Sequence, residues 1–188
     1  MKYGGLAVLV VAASCVSADY EPPTSDATKE DFSRTVGKSV DETWDALIQY
    51  AARNFFAIVE KDSGRLSVSL GMGNPAQFVT GGHFKLSDER AGSTSFEGDY
   101  VDYLRRYANA TLTARMSIVV RAQGQRTLVT VNTRYVVNAT LRGRRETWHF
   151  ESGGSSTVRV QNPPGTPPTR TLRPTHKAEK AILHALSN

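Results

Sequence analysis

Apolar residues recur at helical spacing in two segments of the chain. In the first segment they are Val40, Trp44, Leu47, Ile48, Ala51 and Phe55, which share one face of a helix with about 3.6 residues per turn. Ser39 and Glu42 form the Ser-x-x-Glu pattern of a capping box at its start. In the second segment Pro174 stands at a first-turn position, and the apolar residues are Ala178, Ala181, Ile182, Ala185 and Leu186. The spacing predicts an amphipathic helix in each segment.

Between these helices the apolar period changes to two, which is typical of half-buried strands. A β-hairpin is predicted where Phe56 and Ile58, and then Leu66, Val68 and Leu70, flank a turn at 62–64. Shorter strands are predicted near 77–79, 83–86, 145–151 and 157–160. Two long strands carry apolar residues on one face: Ala110, Leu112, Ala114, Met116, Ile118 and Val120, and then Val129, Val131, Thr133, Tyr135 and Val137. We therefore predict an α+β fold, in which a curved antiparallel sheet packs against an N-terminal and a C-terminal helix.

The first fifteen residues have the pattern of an export signal. Lys2 gives a positive start, residues 6–11 are apolar, and small residues at 12–14 lead to Cys15, the single cysteine of the chain. The apolar stretch is shorter than the roughly 20 residues that a membrane-spanning helix needs. The run Ala-Ala-Ser-Cys at 12–15 resembles the lipobox of bacterial lipoproteins, whose cysteine is acylated after the signal is removed. The other interpretation is ordinary cleavage after Ala18.

The lipobox resemblance implies a division of the chain into three parts. Residues 1–14 are the lipoprotein signal peptide, and residues 15–31 are the lipidated Cys15 with a flexible tether rich in Pro, Ser, Thr and acidic residues. Residues 32–188 form a single α+β domain. Fatty acyl chains such as palmitate on Cys15 would anchor the protein in a membrane. Because Val16 rather than Asp follows the cysteine, the resemblance implies the outer membrane, with the domain facing the periplasm.

Charge is divided unevenly along the chain. Lys and Arg number 23 against 18 Asp and Glu, a formal net charge of +5, and the basic excess lies in the second half. On the two long strands, Arg115, Arg121 and Arg134 have the parity opposite to the apolar residues and should share the solvent face. Like charges on adjacent strands repel unless an anionic group is present. We interpret these three arginines as a candidate interaction surface for an acidic partner or for anionic lipid; a nucleic-acid partner is not expected for an exported protein.

Catalytic chemistry is not indicated by the sequence. The chain lacks the His-Glu-x-x-His, Gly-x-Ser-x-Gly, phosphate-loop and Cys-x-x-Cys motifs, and lipidation of Cys15 would leave no thiol for nucleophilic catalysis. The four histidines, His83, His149, His176 and His184, are scattered and are expected at the surface. With 39% hydrophobic and 22% charged residues the composition is that of a globular protein. We expect no enzyme activity, no cofactor and no metal site.

A family resemblance follows from the first helix and the hairpin after it. The pattern Val40-x-x-x-Trp44-x-x-Leu47, followed by Phe56-x-Ile58 and by Gly-Arg-Leu-x-Val at 64–68, resembles the helix-grip domains of the lipoprotein C subunit of the outer-membrane β-barrel assembly machinery. Smaller proteobacterial lipoproteins are similar. That subunit has two such domains and a long partner-binding N-terminal segment, whereas this chain has room for one domain. The resemblance covers residues 32–188 and implies an interaction or structural component of the cell envelope, with an envelope protein as partner.

A binding module is the alternative function. Helix-grip folds can hold a lipid or a small apolar ligand in a cleft between the sheet and the C-terminal helix. The candidate lining residues are aromatic: Tyr100, Tyr103, Tyr107, Tyr135, Trp148 and Phe150. Filling of the core by the same aromatic side chains is the simpler interpretation.

Overall fold

The computed structural model describes residues 16–24, 32–54, 57–62, 65–72, 74–88, 95–160 and 167–187. Strands β1 (Val16–Glu21) and β2 (Ser33–Val36) precede helix α1 (Val40–Arg53). The next elements are β3 (Ala57–Asp62), β4 (Arg65–Met72), a short 3-10 helix (Pro75–Gln77), β5 (Val79–Thr80), β6 (His83–Asp88), β7 (Phe96–Asp99) and helix α2 (Tyr100–Tyr107). The last are β8 (Thr111–Gln123), β9 (Arg126–Leu141), β10 (Arg144–Glu151), β11 (Ser156–Arg159), β12 (Thr169–Pro174) and helix α3 (Lys177–Ser187).

A six-stranded antiparallel sheet forms the centre of the fold. Five of its strands follow the order β10-β9-β8-β4-β3, and the sixth, β2, pairs with β9. Strand β8 pairs along one edge of β9, while β2 and β10 share the other edge, β2 opposite residues 127–130 and β10 opposite residues 134–141. The predicted alternation is confirmed in both long strands, since Met116 and Ile118 of β8 and Val129 and Val131 of β9 are buried. Smaller antiparallel sheets have the orders β1-β6-β7 and β11-β12-β5.

Helices α1 and α3 cover the apolar face of the central sheet. Helix α1 begins with the predicted capping box, in which the Ser39 amide donates to the Glu42 carboxylate (2.8 Å) and the Glu42 amide donates to the Ser39 hydroxyl (3.3 Å). Its buried Leu47 and the buried Ile182 and Leu186 of α3 join the core beneath. The two helices contact each other and both contact β9. The predicted α+β class, with an antiparallel sheet and a helix near each end of the domain, is confirmed.

The prediction of a flexible tether from residue 16 is wrong for its first six residues. Strand β1 occupies Val16–Glu21 and pairs with β6. Val16, Ala18 and Tyr20 are half-buried and alternate with exposed residues. The sequence therefore has a short strand-like alternation of apolar and polar residues here. Order therefore begins well before Phe32. Residues 1–15, with the predicted signal peptide and Cys15, and residues 25–31 lie outside the described residues.

Several features of the second half differ from the sequence prediction. Helix α2 and strand β7, which leads into it, occupy a region for which no helix was predicted. Strand β11, predicted near 157–160, pairs with β12, a strand that was not predicted. Pro174 is the last residue of β12 rather than the first turn of a helix. Because proline lacks an amide donor, the end of a strand accommodates it as readily as a helix start.

Candidate functional site

The predicted basic surface lies on the open face of the central sheet, the face opposite to α1 and α3. Arg115 and Arg134 are direct partners in the β8–β9 register and both are exposed. Arg121 lies on the same face further along β8. Directly opposed side chains on antiparallel strands have Cβ atoms about 5 Å apart, so the Arg115 and Arg134 charges repel each other. The expectation that the three arginines share the solvent face is confirmed.

One arginine of this face has an acidic partner. The Arg134 guanidinium lies 3.1 Å from the Glu151 carboxylate of β10, and because both side chains are exposed the pair contributes little to stability. Exposed Arg145 of β10 lies opposite Thr140 and adds another positive charge to the same face. The described side chains of this surface therefore carry a positive excess, which favours an anionic partner.

A shallow groove of about 150 Å³ crosses the open face beside Arg121. Val119, Arg121, Leu128 and Thr130 line it, and the register places Val119 opposite Thr130 and Arg121 opposite Leu128. Two aliphatic side chains thus form an apolar floor with a guanidinium at its side. The groove is therefore apolar at its floor and carries one positive charge at its side.

The six aromatic residues predicted to line a ligand cleft fall into two groups. Tyr135, Trp148 and Phe150 are buried in the central core, and the rings of Tyr135 and Phe150 stack with centroids 5.4 Å apart. These three side chains are core filling and not the walls of an open cleft. The three tyrosines of α2 belong to a different cluster on the β1-β6-β7 sheet.

A buried polar cluster under α3 was missed by the sequence analysis. The Glu179 carboxylate is fully buried and accepts hydrogen bonds from the Tyr135 hydroxyl (2.8 Å) and the Ser152 hydroxyl (2.6 Å). Burial, and then the nearby Glu179 carboxylate, raises the pKa of Tyr135 above its ordinary value. The cluster fixes α3 on the sheet and has no contact with solvent. Glu179 shares helical spacing with Ile182 and Leu186, and this spacing was the available signal of its burial.

The tyrosines of α2 form an aromatic cluster with two phenylalanines of the adjacent sheet. Tyr103 contacts Phe84 and Phe96 edge to face, with ring centroids 4.8 Å and 5.5 Å apart, and Tyr100 contacts Phe84 in the same way at 5.2 Å. Such arrangements are favourable because the positive edge of one ring faces the negative face of another. Burial raises the pKa of Tyr100. Tyr107 extends the cluster to the surface, where its side chain is 46% exposed.

A buried arginine joins this aromatic cluster to β12. The Arg170 guanidinium lies over the rings of Tyr20, Phe84 and Tyr100, at 4.4 Å, 5.1 Å and 5.2 Å from their centroids. Its Nη1 donates to the carbonyls of Pro167 and Thr169, and its Nε and Nη2 have no hydrogen-bond partner among the described residues. Burial lowers the pKa of Arg170 below its ordinary value. Cation–π contacts thus take the place of an acidic partner.

Tyr20 connects β1 to the rest of the domain. Its hydroxyl accepts a hydrogen bond from the Thr171 amide (2.8 Å) and donates to the Thr171 carbonyl (3.2 Å), and its ring carries the Arg170 guanidinium. No sequence signal predicted this contact, because Tyr20 and Thr171 are 151 positions apart. Strand β1 is therefore part of the folded domain and not a tether to it.

The four histidines do not form a cluster. His83, His149 and His184 are exposed as expected, but His176 is buried, which corrects the prediction. A positive φ of 58° turns the chain there, just before α3, and brings the His176 ring to 6.1 Å from Phe32. Within the described residues, no group of His, Cys, Asp or Glu side chains could hold a metal ion. In the same part of the chain, no helix has both the length and the apolar composition needed to cross a bilayer.

Comparison of the chain with protein-family models, with curated proteins and with solved structures finds no match. The resemblance to helix-grip lipoproteins therefore stays a prediction from residues 12–15 and 40–68. The open sheet face and the end of α2 carry exposed charged and aromatic side chains.

Proposed function

We propose that the protein is a lipid-anchored component of the cell envelope whose domain binds a partner protein through the open face of its central sheet. Cys15 carries the anchor, the membrane is the outer membrane, and the domain faces the periplasm. The function is interaction or structural support rather than catalysis. The observation that carries the proposal is the direct opposition of Arg115 and Arg134 on an exposed face.

Electrostatics support a partner with an acidic surface. Holding two guanidinium groups side by side on a rigid sheet costs free energy in the isolated protein. An acidic surface would offset this repulsion, and the charge-assisted hydrogen bonds of arginine to carboxylates would give orientation as well as affinity. The apolar groove beside Arg121 supplies a place for a side chain of the same partner.

We further propose that the domain is helix-grip-like, as in the lipoprotein C subunit and its smaller relatives. In support, α1 and α3 contact each other on one face of an antiparallel sheet, with the other face open. A domain of this shape leaves one whole sheet surface for a partner.

The anchor is tested by Cys15→Ser. Because acylation needs the thiol, this variant should lose metabolic fatty-acid labelling and move from the membrane fraction to the soluble periplasm. Labelling and membrane fractionation equal to those of the parent would contradict the lipoprotein proposal.

The docking face is tested by photo-crosslinking in intact cells from a probe at Asn132, an exposed position of β9 on the open face. Crosslinks to an envelope protein are expected from the parent. The triple variant with Gln at positions 115, 121 and 134 should lose them, because the guanidinium groups that recognise the partner are gone.

A matched control removes the same charge elsewhere. Arg53, Arg159 and Lys177 are exposed and lie on α1, β11 and α3, so their replacement by Gln should leave the crosslinks unchanged. All variants replace exposed residues and should keep the melting temperature of the parent. If both triple variants lose the crosslinks equally, or if both keep them, the open face is not the binding surface.

A further inference from the structure

The N-terminal strand fixes which end of the fold is nearest to Cys15. Strand β1 begins at Val16, the residue after Cys15 in the sequence, so a single peptide bond joins Cys15 to the strand. The register then places Ala18, Leu86 and Phe96 in one row across β1, β6 and β7. From strand geometry, the Cα atoms of Val16 and Phe96 are about 12 Å apart.

Helix α2 ends at this same end of the small sheet. Its Tyr107 ring lies 6.1 Å from the Phe96 ring, edge to face, and the guanidinium of Arg106 lies 5.7 Å from the centroid of Phe96. Arg106 is exposed. Among the residues that the structure describes, Tyr107 is the one large hydrophobic side chain that is exposed. The last turn of α2 thus presents a cation and an aromatic ring together.

The turn between β9 and β10 adds a second cation. The Thr140 amide donates to the Ala108 carbonyl (2.7 Å), which holds the end of β9 against the end of α2. Arg142 is exposed in the turn that follows. Burial raises the pKa of Tyr103, and Arg142 is near enough to oppose that rise. We refer to Arg106, Tyr107 and Arg142 as the anchor-end patch.

Two acidic groups near the patch have basic partners. The Glu97 carboxylate lies 3.1 Å from Lys85, and the Asp102 carboxylate lies 3.4 Å from Arg105. Arg106 contacts an aromatic ring instead of a carboxylate. The charges of the anchor-end patch are therefore available to an external anion.

We propose that the anchor-end patch rests on the anionic phospholipid head groups of the membrane that holds Cys15. This inference depends on the proposed acylation of Cys15. With one peptide bond between anchor and strand, the domain has no slack that would let it stand away from the bilayer. Tyrosine is favoured at the membrane–water interface, and arginine pairs with phosphate through bidentate hydrogen bonds. The domain is thus held in a fixed orientation and does not rotate freely on a tether.

The orientation can be measured with the acylated mature chain in phosphatidylcholine vesicles, with and without phosphatidylglycerol. Acylation consumes the Cys15 thiol, so Tyr107→Cys and Gln125→Cys each introduce a unique site for an aromatic fluorophore. Gln125 is exposed in the turn at the far end of β8, about 40 Å away along the strand. In vesicles with phosphatidylglycerol, head-group nitroxide lipids should quench the label at 107 and leave the label at 125 unquenched.

Charge removal tests the role of the arginines. Each arginine near an anionic surface changes the ratio of docked to undocked protein by about fivefold, so replacing Arg106 and Arg142 by Gln should lower that ratio by roughly 25-fold and abolish most quenching at 107. Replacing Arg34 and Arg126 by Gln removes the same charge and should have no effect, because both are exposed residues near the β8–β9 turn at the far end.

The outcomes separate this inference from the proposed function. If the purified protein carries the acyl mass but the label at 107 is not quenched, or is quenched equally without phosphatidylglycerol, the inference is wrong and the lipid anchor stands. If the acyl mass is absent, both fail. Quenching that is unaffected by the Arg106 and Arg142 substitutions also overturns the inference.

Discussion

Docking of β1 onto the domain can be tested at a glycine that touches its end. Gly82 has a φ of 79°, and a Cβ added there would meet the backbone of Glu21, Pro22 and Pro23, at 2.7 Å from the Pro23 nitrogen. Gly143 has the same φ of 79° but has no atom within 4 Å of such a Cβ. Replacement by Ala therefore costs left-handed backbone strain at both positions and a collision with β1 at Gly82 alone.

The magnitudes distinguish the two variants. A left-handed alanine costs about 1–2 kcal/mol, and reduced freedom of the unfolded chain returns about 0.4–1 kcal/mol. Gly143→Ala should therefore lower the free energy of unfolding by about 1 kcal/mol. Gly82→Ala adds overpacking against rigid backbone, which costs about 1–3 kcal/mol. The total cost of Gly82→Ala is therefore about 2–4 kcal/mol. The contacts of Tyr20 are of similar size, with two hydrogen bonds at about 1 kcal/mol each and the Arg170 cation–π contact at about 1–2 kcal/mol. The strain is thus large enough to offset the Tyr20 contacts and to loosen the end of β1, which the pairing with β6 still holds.

Urea unfolding followed by circular dichroism gives the two free energies, and amide hydrogen exchange reports on β1 directly. Gly82→Ala should be about 2 kcal/mol less stable than Gly143→Ala. It should lower protection at the Glu21 end of β1 while the central sheet keeps its protection. Combining Gly82→Ala with Tyr20→Ala should destabilise less than the sum of the two changes, because both release the same strand. Equal destabilisation by the two glycine variants, with β1 protected in both, would refute the docking of β1.

Further predictions concern the core, the helix cap and the buried tyrosine. Ile182→Asp should destabilise by several kcal/mol because it buries an unpaired carboxylate. Ala181 is exposed on α3, although the spacing grouped it with the apolar residues, so Ala181→Asp should cost less than about 1 kcal/mol in thermal melts. The Ser39 amide and hydroxyl lower the pKa of Glu42. The stabilisation by this carboxylate is therefore present above its ordinary pKa and is lost as the pH falls through the lowered value. The difference in stability between the parent and Glu42→Gln should vanish in acid unfolding curves. Since the pKa of Tyr135 is raised, the unfolded chain releases this proton above about pH 10 while the folded chain keeps it, so stability falls with rising pH by up to about 1.4 kcal/mol per pH unit. Tyr135→Phe should reduce that slope in denaturant titrations between neutral and alkaline pH, and an unchanged slope would contradict the assignment.

Local patterns predicted the elements whose stabilising contacts are themselves local or strictly periodic. The capping box at Ser39 depends on residues three positions apart, and the long strands β8 and β9 repeat the same alternation many times. Parity alone put Arg115 and Arg134 on the solvent face. The sequence is sufficient to predict these features, because none of them depends on which distant segment of the chain lies nearby.

Short elements were missed because their periodic signal is weak. Strand β1 has only Val16, Ala18 and Tyr20 as apolar positions, and α2 is eight residues long. Helical spacing of its tyrosines and Leu104, after the capping side chain of Asp99, was present in the sequence but lay within a glycine-rich region. Pro174 gave a local signal that both a helix start and a strand end satisfy, and its pairing with β5 decided between them.

The sequence by itself determined the antiparallel α+β class, the first helix with its cap and the solvent face of the long strands, because spacing and parity are properties of neighbouring residues. The lipid anchor at Cys15 stays a prediction from a local motif. Only the tertiary structure decided that Tyr20 meets Thr171, that Arg170 lies buried among aromatic rings, and that Tyr107 at the end of α2 contacts Phe96 at the start of β7. The first two of these contacts join segments far apart in the chain. They form where burying apolar surface across the whole fold outweighs the loss of chain entropy, which no local pattern records.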